Sequence, residues 1–241
     1  MVRIISRLRI FRPLAGAALL VSACAPSGPT PQETAPSPTQ PPAAAAIRIV
    51  VLGDSLAAGL GLAEADAFPA FVERTLRDRG HDVEIVNAGV SGDTTAGGLN
   101  RVAWVLQQPT DILVVELGGN DALRGQDLEN IESNLREIVR RGLDAGARVV
   151  LLGMDVPTNY GPDYSRAFSE MYGRIAEEEG AVLVPAFVRE VGSDPSLLQA
   201  DGLHPTAEGQ LKLAETLVPP LETLLTEGAT PPIETAQPQG D

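Results

Sequence analysis

Five short runs rich in Val, Ile and Leu, each followed by a longer helix-length stretch, limit what this chain can fold into. The runs are IRIVVL (47–52), VEIVNAGV (83–90), DILVVELG (111–118), RVVLLGM (148–154) and AVLVPA (181–186). The first is a near-continuous apolar, β-branched run, the pattern of a strand buried on both faces. Spacing predicts helices over 68–79 (stopping at Gly80), 98–106, 128–146, 164–179 and 206–225, with Pro219-Pro220 as a break in the last. Strand and helix alternating five times argue for the α/β class, a mostly parallel five-stranded sheet with helices on both faces. Ligands bind outside the carboxyl ends of such strands, so polar residues just after each run are the site candidates.

Four clusters stand there. Gly53-Asp54-Ser55-Leu56 follows the first run, and a serine among small residues after a strand has the setting of an exposed nucleophile. The same residues also make an ordinary turn. Neither G-x-S-x-G nor G-x-x-x-x-G-K-[ST] is present, which removes the α/β-hydrolase elbow and the P-loop. After the second run, Gly92 leaves its backbone N–H open to a ligand, while Asp93 or Thr94 reads equally as a helix cap. After the third, Gly118-Gly119-Asn120-Asp121 either presents the Asn120 amide to the same cleft or is a plain turn.

The fourth cluster, Asp201-Gly202-Leu203-His204-Pro205, sets a carboxylate three residues before a histidine. In one tight turn Asp201 can hold the Nδ1 proton of His204 and leave Nε2 free, with Pro205 opening the next helix. The alternative is a surface histidine beside a helix start. The only other histidine, His81, precedes a strand and so lies away from the expected cleft. In a histidine-based enzyme, His204 is the base by elimination.

Composition narrows the partners. A formal net charge of −14 disfavours nucleic acid, whose binding is largely phosphate neutralisation by Lys and Arg, and disfavours anionic membrane surfaces for the same reason. One cysteine permits no internal disulfide, and two histidines supply no His-rich zinc site; no metal or other cofactor is expected.

Taken in order, Gly53-Asp54-Ser55-Leu56, Gly92, Gly119-Asn120-Asp121 and Asp201-x-x-His204 resemble the four blocks of the SGNH (GDSL) hydrolases, over nearly the whole stretch from residue 47 to about 217. VELGGNDALRG and VPTNYG are similar to the bacterial arylesterase, thioesterase and lysophospholipase subgroup. The resemblance implies a three-layer α/β/α sandwich with a flavodoxin-like sheet and no cofactor. It implies a Ser55–His204–Asp201 triad and an oxyanion hole built from the Ser55 and Gly92 N–H groups and the Asn120 amide. Hydrolysis of small acyl esters through an acyl-enzyme follows, thioesters included. Two other readings are a carbohydrate O-deacetylase and a non-catalytic envelope lipoprotein that binds a ligand.

The ends of the chain depart from many members of that family. Residues 1–23 carry Arg3, Arg7, Arg9 and Arg12 ahead of a short apolar stretch, the form of a signal peptide, and Val21-Ser22-Ala23-Cys24 resembles the bacterial lipobox. Cys24 is then the lipidated residue, and Ala25 after it points to the outer membrane, with the protein facing the periplasm. Residues 24–46 are a Pro- and Ala-rich tether, 47–225 the folded domain, and 226–241 a second Pro-containing segment expected to stay disordered. Cleavage before Cys24 leaves 14 basic against 32 acidic side chains, so membrane attachment rests on the lipid rather than on a basic patch.

Overall fold

The computed structural model describes residues 46–156 and 160–227. The expected signal segment, Cys24, the tether through residue 45 and the tail from 228 lie outside the described residues.

Five strands, β1 (Ile47–Gly53), β2 (Val83–Gly89), β3 (Ile112–Glu116), β4 (Arg148–Leu152) and β5 (Val182–Val184), form one sheet in the order β2-β1-β3-β4-β5. All four pairings are parallel. The helices are α1 (Ser55–Ala58), α2 (Phe68–Asp78), α3 (Thr95–Val105), α4 (Gly119–Leu123), α5 (Leu128–Asp144), α6 (Pro162–Glu179), α7 (Arg189–Ser193) and α8 (Ala207–Glu227).

Alternate strand residues serve opposite faces. Ile49, Val51, Val114 and Val150 pack with α2 and α8, whereas Val50, Leu52, Leu113 and Val115 pack with α3, α5 and α6. Both faces are therefore covered, which is why the strands read as apolar runs without polar alternation. The outcome is the expected three-layer α/β/α sandwich.

Local departures have local causes. β3 stops at Glu116 because Gly118, at φ 117°, turns the chain. β5 stops at Val184 ahead of Pro185, which has no N–H to donate, and of Ala186 at φ 51°. The last helix begins at Ala207, not at Pro205, which instead bridges Leu198. Thr206 Oγ1 accepts the Gly209 N–H (3.2 Å) in the role of a cap.

The expected break at Pro219-Pro220 does not occur, and α8 continues to Glu227, two residues past the predicted edge of the domain. Pro219 sits on the exposed side, and Leu217, Val218, Leu221, Leu224 and Leu225 are buried on either side of the pair. Packing of that apolar face outweighs the backbone hydrogen bonds two prolines remove.

Because the strands run parallel, the four polar blocks gather at one edge of the sheet. β1 lies between β2 and β3, so the chain leaves it to opposite sides, and the crevice opens at the carboxyl end of β1. α1 sits directly on the end of β2: a Cβ added to Gly89 would meet Ala58 N at 2.4 Å.

Candidate active site

Ser55 is the first residue of the one-turn helix α1 and is only 8% exposed. Asp54 caps that helix, its Oδ1 accepting the Leu56 N–H (3.0 Å). The chain then turns away at Gly59, at φ 66°. Such a short turn places the serine hydroxyl at the strand end without a long helix in front of it.

His204 arrives from the loop before α8. Its Nε2 lies 3.0 Å from Ser55 Oγ, and its Nδ1 lies 2.7 Å from Asp201 Oδ2. The fold thus brings Ser55, His204 and Asp201 into one line of contacts. With Asp201 ionised, Nδ1 donates and Nε2 faces the serine as the acceptor. Asp201 Oδ1 also accepts the Leu203 and His204 N–H groups (2.9 and 3.0 Å), an arrangement that Gly202 permits at φ 68°. The His204 amide first, then the imidazole and the Leu203 amide, hold Asp201 well below the usual carboxylate range. Its charge thus persists through the acidic pH at which an imidazole gains a proton. The loop itself is pinned by Gln199 N–H to His204 O (2.7 Å) and by Gln199 Nε2 to Leu60 O and Pro205 O, both 2.8 Å.

Asn120, in the first turn of α4, donates an Nδ2 hydrogen bond to Asp54 Oδ2 (2.9 Å). Its second amide hydrogen remains for another acceptor. Gly92, at φ 80°, lines the same cavity as Ser55, Asn120 and His204, and its carbonyl accepts from Arg124 (3.0 Å). The cavity measures about 920 Å³, and Leu56, Leu60, Leu123, Met154, Val188 and Leu203 supply much of its wall. His81 stands elsewhere, before β2 and 3.6 Å from Glu222.

Several braces escape a reading by motif. Asp121 is buried and accepts from Thr95 N (2.9 Å) and Thr95 Oγ1 (2.6 Å), tying the third block to the second. Thr94, rather than Asp93, caps α3; Asp93 pairs with Arg101 (2.7 Å). Arg101 reaches on to the carbonyls of Ala88 (2.6 Å) and Gly53 (2.9 Å), clamping the ends of β2 and β1 together. Buried Gln210 joins Phe68 N–H (2.8 Å) to Leu56 O (3.0 Å). The one advance signal was that Asp54 and Asp121 stand inside the blocks; Arg101 and Gln210 carried none. Among the described residues, no cluster of three or more His, Cys, Asp or Glu side chains is arranged to hold a metal ion.

Known proteins resemble this chain in sequence and in fold. The chain is 43% identical over 183 residues to esterase TesA of Pseudomonas aeruginosa, covering 76% of this chain and 91% of that one. It is 38% identical over 185 residues to thioesterase 1/protease 1/lysophospholipase L1 of Escherichia coli K12, covering 76% and 87%. Among solved structures it resembles the psychrotrophic esterase EstA from Pseudoalteromonas, determined inhibited by monoethylphosphonate. There the TM-score is 0.71 at 30% identity, over 74% of this chain and 98% of that one. Residues 51–212 match the GDSL-like Lipase/Acylhydrolase family, and the chain belongs to that family, the SGNH hydrolases.

Proposed function

We propose that this protein is a serine esterase that cleaves carboxylic acyl esters through an acyl-enzyme. The observation that carries the reading is the unbroken Ser55–His204–Asp201 relay opening into an apolar cavity. Ser55 Oγ attacks the ester carbonyl carbon while His204 Nε2 takes its proton. Collapse of the tetrahedral intermediate breaks the C–O bond, and His204 returns the proton to the departing alcohol. Water, deprotonated by the same nitrogen, then releases the carboxylic acid and restores Ser55. Asp201 fixes the tautomer and offsets the imidazolium charge. The Ser55 and Gly92 N–H groups and the free Asn120 amide hydrogen stabilise the oxyanion.

The leucine-rich wall favours an apolar acyl group over an acetylated sugar, and the same chemistry extends to thioesters and lysophospholipids. A fluorophosphonate probe tests the reading, because only an activated serine reacts with it. Labelling is expected at Ser55; a folded protein that remains unlabelled would overturn the assignment.

The basic n-region and the lipobox-like Val21-Ser22-Ala23-Cys24 support export as a lipoprotein anchored at Cys24 and facing the periplasm, at the outer membrane. Metabolic labelling with radioactive palmitate in a Gram-negative host should mark the wild type and not Cys24→Ala. Equal label in both would remove the anchor.

A further inference from the structure

Beneath the nucleophile lies a carboxyl group that the hydrolytic cycle does not use. Glu116, the last residue of β3, is fully buried and paired in register with Gly53. Its Oε2 accepts the Asp54 N–H (3.0 Å) and the Ala57 N–H (3.3 Å), and so holds both sides of the turn that carries Ser55. Its Oε1 is, among the described residues, the buried side-chain polar atom without a hydrogen-bond partner. Gly53 packs closely on Oε2, since a Cβ there would lie 2.6 Å from it.

A carboxylate buried with one oxygen unmatched is unfavourable, and a proton cures both faults by removing the charge and turning the bare oxygen into a donor. The acceptor stands beside it. Asp54 is bonded to Glu116 through its own N–H (3.0 Å), which makes the two acids neighbours. Asp54 already has an N–H on each oxygen, from Leu56 on Oδ1 (3.0 Å) and from Asn120 on Oδ2 (2.9 Å). Only Glu116 has a bare oxygen, so the pair's proton belongs there.

We propose that Glu116 is a positioning residue: a neutral carboxylic acid whose Oε1–H bonds the Asp54 carboxylate, which in turn aims the Asn120 amide at the oxyanion. Burial first, and then the Asp54 charge, push Glu116 well above the usual carboxylate range. Burial lifts Asp54 as well, against the Leu56, Asn120 and Glu116 donors. The other ionisable groups nearby are engaged elsewhere. Tyr172 of α6 donates to Leu117 O (3.0 Å), Arg101 of α3 is paired with Asp93, Asp121 of α4 is occupied by Thr95, and His204 faces Ser55. The chain of contacts explains why an acid sits at the end of an otherwise apolar strand, ILVVE.

The inference rests on Asn120 as an oxyanion donor, and the test keeps the two claims apart. Asn120→Ala sets the ceiling, an expected loss of about 10²–10³ in kcat. Glu116→Leu should lose about 10- to 100-fold in kcat with KM within about twofold, the pattern of an interaction realised in the transition state. Glu116→Gln keeps an oxygen for the two amides and an N–H for Asp54, and should stay within about threefold of wild type in kcat. The infrared spectrum at neutral pH should show a carboxylic-acid C=O stretch in the wild type that Glu116→Gln removes. A glutamine variant as slow as the leucine variant, a leucine variant as fast as wild type, or absence of that band would each overturn the proposal. If Glu116→Leu does not fold, Glu116→Gln and the infrared band decide. A wild type inert towards every ester would sink the esterase reading instead, and the infrared band would still report on Glu116.

Discussion

Ser55→Ala is expected to lower kcat for a short p-nitrophenyl ester by on the order of 10⁶-fold, leaving what cavity binding and the oxyanion donors provide. The loss is large because the serine oxygen is the atom that bonds the acyl carbon, and among the described residues no other hydroxyl hydrogen-bonds His204 Nε2. The fold should survive, since the turn is held by neighbours: Asp54 Oδ1 on Leu56, Glu116 Oε2 on Asp54 and Ala57, and Gln210 Nε2 on Leu56 O. Far-UV circular dichroism and the melting temperature therefore separate loss of chemistry from loss of structure. Turnover at the wild-type rate would mean that Ser55 is not the nucleophile.

Asp201→Asn is expected to cost about 10³-fold in kcat, less than the about 10⁴ lost when a buried triad carboxylate is neutralised. The discount follows from exposure: the Asp201 side chain is 49% exposed, so water takes over part of its work on the imidazolium. Asparagine can still accept the Leu203 and His204 N–H groups but cannot hold the Nδ1 proton as a carboxylate does.

The pH profile gives a second readout. Asp201 is held low, so it stays ionised on mild acidification and does not itself set the acid limb of activity. Asp201→Asn removes the anion that contacts the imidazole, and its pH profile is expected to differ from that of the wild type. An unchanged limb together with an unchanged kcat would remove Asp201 from the relay.

How far the sequence could be read depended on the length scale of each interaction. The five strands were visible because both faces of the sheet are covered, which forces apolar runs such as IRIVVL and ILVVE into the sequence. The long helices α2, α5 and α6 followed from their apolar spacing, whereas α1, α4 and α7 span four or five residues, too few to show a period. Pro219-Pro220 misled because a local rule was overridden by a buried face that only the packed molecule displays. Ser55, Gly92, Asn120, Asp201 and His204 were legible as four ordered blocks; four of them line one cavity, and Asp201 joins them through His204. Arg101, Gln210 and Glu116 were not, because each acts on atoms far along the chain, 62 residues away in the contact of Glu116 with Asp54.

The sequence by itself determined the layer architecture, the edge of the sheet where chemistry occurs, and the residue types gathered there. These follow from hydrophobic periodicity and from short-range turn chemistry, both of which are written in consecutive residues. Only the tertiary structure decided that Ser55 Oγ and His204 Nε2, 149 residues apart in the chain, stand 3.0 Å from each other. It alone set a carboxyl group from β3 under the nucleophile, with one oxygen satisfied and one bare. Proximity and burial across a parallel sheet depend on register between strands distant in sequence, and no local pattern encodes that register.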